Sequence, residues 1–160
     1  MQKTNERDLE WTEYDHESGE TTFRRKQLAD ATGAEDIGCS LYELPAGKRS
    51  WPYHYHTANA EALYVLAGEG TLRAADGKHD LTTGDYVSLP ADDSGGHRVV
   101  NDSDGTLRYL AVSTMEEPDV TVYPEMDKVG VFVGAPPGGR GEREFQAYFP
   151  SDAGVDYWEE

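Results

Sequence analysis

The run Gly47-Lys48-Arg49-Ser50-Trp51-Pro52-Tyr53-His54-Tyr55-His56-Thr57-Ala58-Asn59-Ala60-Glu61, followed at a distance by Gly68, decides how this chain is read. Side chains alternate along an extended strand, so His54 and His56 share one face while Tyr53 and Tyr55 take the other. Glu61 adds a carboxylate and His97, much further along, a third imidazole. Three imidazoles and one carboxylate make a mixed N/O donor set suited to a divalent transition ion such as Zn, Ni, Fe or Mn. A second run completes the pattern: Gly84-Asp85-Tyr86-Val87-Ser88-Leu89-Pro90, then His97-Arg98-Val99-Val100-Asn101.

Together the two runs resemble the paired motifs of the cupin superfamily. The His-x-His to Glu61 and Glu61 to Gly68 spacings match the first motif, with Gly47 one residue further out than usual. Gly84, Pro90, His97 and Asn101 match the second, although Asp92 stands where a glycine is expected and two extra residues precede His97. The resemblance covers roughly residues 37–112. It implies a conical jelly-roll barrel (a double-stranded β-helix), with His54, His56, Glu61 and His97 as metal ligands. It also implies pairing into a homodimer through outer strands. The wording from Gly38-Cys39-Ser40 to His56, with Asp156-Tyr157-Trp158 near the end, is similar to a branch of small single-cupin proteins of undefined activity.

The alternative reading of the same residues is a metal-free barrel in which they are hydrogen-bonded polar groups of the core. His16 and His79 lie in charged stretches and read as solvated surface residues.

At 160 residues the chain is within the range of one compact domain. No apolar run approaches the ~20 residues that span a bilayer, and the charged segment from Met1 to Glu13 has no signal-peptide core. The single cysteine, Cys39, excludes an intramolecular disulfide and reads as a small buried residue. These features predict a cytoplasmic protein. Its formal net charge of −17, from 31 carboxylates against 14 basic residues, is dispersed rather than gathered in a tail. Such self-repulsion is tolerable in strong brine, where fields are screened within ~3 Å at 1 M salt, so a halophilic, salt-adapted origin is expected. No basic stripe is present to neutralise phosphates, which argues against nucleic acid.

Three regions follow: 1–36, a polar arm with a short helix over 22–33; 37–114, the barrel core; and 115–160, a C-terminal extension wrapped on the barrel. Strands are expected at 37–44, 49–56, 61–67, 70–75, 78–82, 85–89, 97–101 and 106–114, broken by turn chemistry such as Pro45-Ala46-Gly47 and Ser94-Gly95-Gly96. This is an all-β pattern. In the extension, 118–122 and 128–133 look extended and 135–141 reads as a flexible loop. The aromatic pieces 144–149 and 155–158 are expected to dock on the outer face, as lid, wrap or dimer arm.

Strand parity places Glu61, Leu63, Val65 and Ala67 on one inward face, and His97, Val99 and Asn101 on another, around an apolar cavity with a few polar groups. Two functions compete: a metal-dependent enzyme (isomerase, dioxygenase or lyase) acting on a small polar metabolite, and a non-catalytic module binding or sensing a small ligand. No general acid or base is identifiable; Tyr42, Glu43, Arg98 and Tyr109 are the candidates near the mouth of the pocket.

Overall fold

The computed structural model describes residues 1–139 and 141–158. Among the described residues thirteen strands and one α-helix follow one another: β1 (Thr12–Asp15), β2 (Thr22–Gln27), α1 (Leu28–Thr32), β3 (Ile37–Leu44), β4 (Tyr55–His56), β5 (Glu61–Ala67) and β6 (Glu69–Ala74). Then come β7 (Gly77–Thr82), β8 (Tyr86–Leu89), β9 (His97–Val100), β10 (Leu107–Thr114), β11 (Asp119–Tyr123), β12 (Lys128–Val133) and β13 (Phe145–Pro150). They form a six-stranded sheet in the order β1-β2-β3-β10-β5-β8, a four-stranded sheet β13-β12-β11-β4 and a three-stranded sheet β7-β6-β9. The fold is all-β, a jelly roll of the cupin type whose sheets remain separate ladders rather than a closed barrel. Among the described residues no helix is long and apolar enough to cross a membrane.

Alternation sets the core. Along β5, Leu63 and Val65 turn inward and are buried, while Tyr64 and Leu66 face out. They meet Leu44, Leu107 and Tyr109 of the same sheet and Leu72, Leu81 and Val99 of the three-stranded sheet, forming one apolar cluster. Burial of such side chains contributes ~1.5–3 kcal/mol each. Gly68 lets β5 pass into β6: its φ is +83°, and a Cβ there would collide with the backbone carbonyl of Thr106.

Three expectations need correcting. The helix expected over 22–33 forms only in its second half, where Gly33 caps α1 in the left-handed conformation at φ 70°. Residues Thr22–Gln27 are a strand instead, because Phe23 is drawn into a cluster with Tyr14 (4.8 Å between ring centroids) and Trp51 (4.7 Å). The N-terminal arm is thus part of the fold: β1 and β2 extend the six-stranded sheet. The strand expected over 49–56 survives as ladder only at β4, with Arg49 and His54 making isolated bridges. Pro52, which has no N–H to donate, interrupts the run. Finally, the 155–158 piece does not dock, since Val155, Tyr157 and Trp158 are exposed, whereas β13 pairs with β12 at the sheet edge. Arg140, part of the expected loop, and residues 159–160 of the expected extension lie outside the described residues.

Candidate metal centre

His54 and His97 are joined through their main chains: the His54 N–H donates to the His97 carbonyl (3.2 Å) and the His97 N–H to the His54 carbonyl (2.9 Å). This bridge ties the segment before β4 to the start of β9 and brings the two rings to 4.8 Å. His56, on the same face as His54, sits 5.2 Å from it, ring to ring. Glu61, at the entry to β5, points its Oε2 at the group, 3.7 Å from His56 Nε2 and 3.5 Å from His97 Nε2. Donor atoms of His54, His56 and Glu61 all lie within 4.8 Å of one another. Thus the structure brings together all four residues singled out in the sequence. His97 enters through its closeness to Glu61 and His54 rather than through that tight group of three.

The second nitrogen of each ring is engaged by an oxygen that can only accept. His54 Nδ1 lies 2.8 Å from the Pro52 carbonyl, His97 Nδ1 3.0 Å from the Gly95 carbonyl and His56 Nδ1 2.6 Å from the Asp119 carboxylate. Nδ1 must therefore carry the proton in all three, leaving the Nε2 lone pairs unprotonated in the neutral rings. This is the orientation that outer partners impose on metal-bound imidazoles. The donor set fits a divalent transition ion.

Electrostatics agrees with neutral donors at two positions. Burial, with the neighbouring His97 acting in the same direction, pushes the His54 pKa down to about 3. Burial pushes His97 down to about 4. For His56, burial lowers the pKa, but the hydrogen bond to Asp119 and the charges of Glu61 and Asp119 outweigh it and the net shift is upward. Asp119 is held below the usual carboxylate range because its bonds to His56, the Ala58 N–H and Thr121 outweigh its burial.

Asp119 was not legible as a functional residue beforehand. The usable signal was parity, since in the extended stretch after Pro118 the residues Asp119, Thr121 and Tyr123 fall on one face. All three reach the site: Thr121 Oγ1 bonds Asp119, and Tyr123 stacks on His54 at 5.9 Å.

The histidines open onto a cavity of about 390 Å³ lined by both large sheets and by part of the C-terminal extension. Tyr42 and Tyr109 stack 5.1 Å apart along its wall. Glu43 and Arg98 do not reach it: Glu43 pairs with Arg24 and Arg108 on the outer face, and Arg98 bonds Thr21 and Ser50. Burial raises the phenols of Tyr42 and Tyr109. Cys39, expected to be buried, is half-buried and lines the cavity, with its thiol raised by burial. Asn101 is structural; its amide bonds the Leu44 and Gly105 carbonyls. The loop before His97 forms a short 3-10 turn, Asp93–Gly95, capped by the Asp92 carboxylate. There Gly95 lies against the Pro90 carbonyl and Gly96 against the Tyr53 hydroxyl, so neither has room for a Cβ. His16 and His79 are exposed, as expected.

Residues 40–113 match the family described as Cupin domain. Over nearly its whole length the chain resembles two solved structures. One is a candidate sugar phosphate isomerase from Acidithiobacillus ferrooxidans (27% identity, 95% of this chain and 94% of that one, TM-score 0.78). The other is a sugar phosphate isomerase of the cupin superfamily from Silicibacter pomeroyi (26%, 94% of each chain, TM-score 0.77). A protein from Thermotoga maritima described as a predicted oxalate decarboxylase shares the fold at 20% identity (69% of this chain, 96% of that one, TM-score 0.59). A comparison with curated proteins gave no match.

Proposed function

We propose that this protein of the cupin fold is a metal-dependent enzyme of the isomerase type, acting on a sugar phosphate or a similarly small polar metabolite. One observation carries the metal-binding half: three Nδ1–H groups are committed to the oxygens of Pro52, Gly95 and Asp119, so three Nε2 lone pairs are available beside Glu61. The likeness over nearly the whole chain to one sugar phosphate isomerase and one candidate sugar phosphate isomerase supports the substrate half.

In this reading His54, His56, Glu61 and His97 hold a Zn, Fe, Mn or Ni ion. When bound, such an ion supplies Lewis-acid polarisation of a substrate carbonyl or enediol. The chain supplies the rest. Asp119 and the two backbone carbonyls fix the imidazoles in the ligating tautomer. Leu63, Val99 and Ala111 wall the cavity and limit water. The Tyr42 oxygen accepts from Trp51 Nε1 (3.1 Å), leaving its own hydrogen to donate to a substrate oxygen.

The competing reading is a non-catalytic module that binds or senses a small ligand. It is favoured by Glu61 being the one carboxylate that lines the cavity among the described residues. The raised Tyr42, Tyr109 and Tyr123 phenols, moved up by burial, also sit far from the range of a general base at neutral pH.

Elemental analysis tests the metal: untagged protein, purified in high salt without chelator, is compared with the His54→Ala/His97→Ala variant. Near-stoichiometric metal lost in the variant is expected. No metal in either, even after reconstitution, would return the histidines to hydrogen-bonded core groups. Interconversion of aldose and ketose phosphates by the loaded protein separates enzyme from binder.

The proposal extends to setting. The dispersed charge of −17 supports a salt-adapted cytoplasm without nucleic-acid or membrane partners. The exposed Phe145 and Phe149 on edge strand β13 support a homodimer, to be measured by light scattering in molar KCl.

A further inference from the structure

The cavity inverts the charge of the molecule around it. The chain carries 31 carboxylates against 14 basic groups, yet among the described residues its cavity is lined by three cations, Arg25, Lys128 and Arg143, and by Glu61 as its one carboxylate. A surface so acidic repels anions, and a local excess of positive charge within it selects them.

The three cations are not equivalent. Arg143 is occupied: Nε and one terminal nitrogen donate to the Ala135 and Pro136 carbonyls, and the other to Gln146 Oε1. That holds the loop. Arg25 donates to the Tyr14 hydroxyl and sits over the Tyr14 and Trp51 rings, wedged beside Tyr42. Lys128 is different. Its ammonium lies 5.2 Å from the Tyr123 ring and 5.4 Å from the Tyr148 ring, and among the described residues it makes no ion pair or hydrogen bond. All three of its N–H donors remain available to a ligand. The two rings restrict a flexible stem through cation–π attraction and fix where the charge stands. They also set its distance from the metal centre, because Tyr123 stacks on His54. The charge is one aromatic ring away from the histidines.

Resting on the isomerase reading above, we propose that Lys128, clamped between Tyr123 and Tyr148, is the specificity-determining anchor for the phosphoryl group of the substrate. The sugar's oxygens then extend past Tyr123 toward His54, His56, Glu61 and His97. β11, β12 and β13 all lie beyond the matched domain at 40–113, so the C-terminal strands supply the specificity and the domain the chemistry.

The test is titration of inorganic phosphate, by calorimetry at one fixed KCl concentration, into metal-free and metal-loaded protein. The variants are Lys128→Met, which keeps the stem, and Lys128→Arg, which keeps the charge. Loss of a charge-assisted contact predicts affinity weakened about tenfold or more in Lys128→Met and restored in part by Lys128→Arg, with melting temperature and metal content unchanged. Wild-type affinity in Lys128→Met, or no phosphate binding by the wild type, overturns the assignment. So does binding seen only with metal and indifferent to Lys128, which would place the phosphate on the ion. Metal content is read in the same samples, so failure to bind metal counts against the isomerase reading and loss of Lys128 dependence counts against the anchor.

Discussion

Asp119 Oδ2 lies 2.6 Å from His56 Nδ1, and both residues are buried although 63 positions separate them in the chain. The contact fixes the tautomer of one proposed ligand from a strand outside the two histidine motifs. It makes the first prediction. Asp119→Ala lowers metal affinity 10–100-fold, as losses of outer partners do, and Asp119→Asn, which keeps an acceptor oxygen but no charge, falls between. Competition with a chromogenic chelator measures it. Wild-type affinity in both variants would remove Asp119 from the site.

Glu61→Gln keeps the size of the side chain and removes its charge. Metal affinity is expected to fall while the fold is retained, because Glu61 sits at the entry to β5 and is not part of the apolar cluster. Circular dichroism and metal content, read together, check both halves.

The depressed histidines make stability depend on pH in a stated direction. His54 at about 3 and His97 at about 4 stay neutral in the folded protein, while in the unfolded chain each titrates near ~6.5. Between these values the unfolded state binds more protons, so metal-free protein loses stability as pH falls from about 6.5 towards 4. Each histidine contributes up to ~1.4 kcal/mol per pH unit in that window. Urea unfolding in chelator at fixed KCl should show a shallower slope for His97→Gln than for wild type. Parallel slopes would show that His97 is not held neutral.

Gly68→Ala places a Cβ against the Thr106 carbonyl at a φ of +83°. A loss of ~1–3 kcal/mol is expected from that backbone conformation and close approach, with metal content per folded molecule unchanged. Denaturant titration supplies the number.

The charge of −17 predicts a melting temperature that climbs from low to molar KCl as repulsion is screened. A flat profile between these limits would reject salt adaptation.

What the sequence determined by itself is what short-range rules determine. Period-2 alternation put His54 with His56, buried Leu63 and Val65, and turned Tyr64 outward, because a strand's side-chain direction depends only on parity. The bounds of β3, β5 and β12 were legible for the same reason: each is a β-prone run closed by turn residues. The motif spacings named the four candidate ligands. Residues 22–27 read locally as helix and fold as strand, because local propensity is silent about Phe23 finding Tyr14 and Trp51. Tertiary structure alone decided the rest. Pairing β11 with β4 set Asp119 on His56, and seating β12 between β11 and β13 clamped Lys128 between Tyr123 and Tyr148. The His56–Asp119 and Lys128–Tyr148 contacts join residues that are distant along the chain, and such contacts are fixed by which strands pair and in what register, which no single strand encodes.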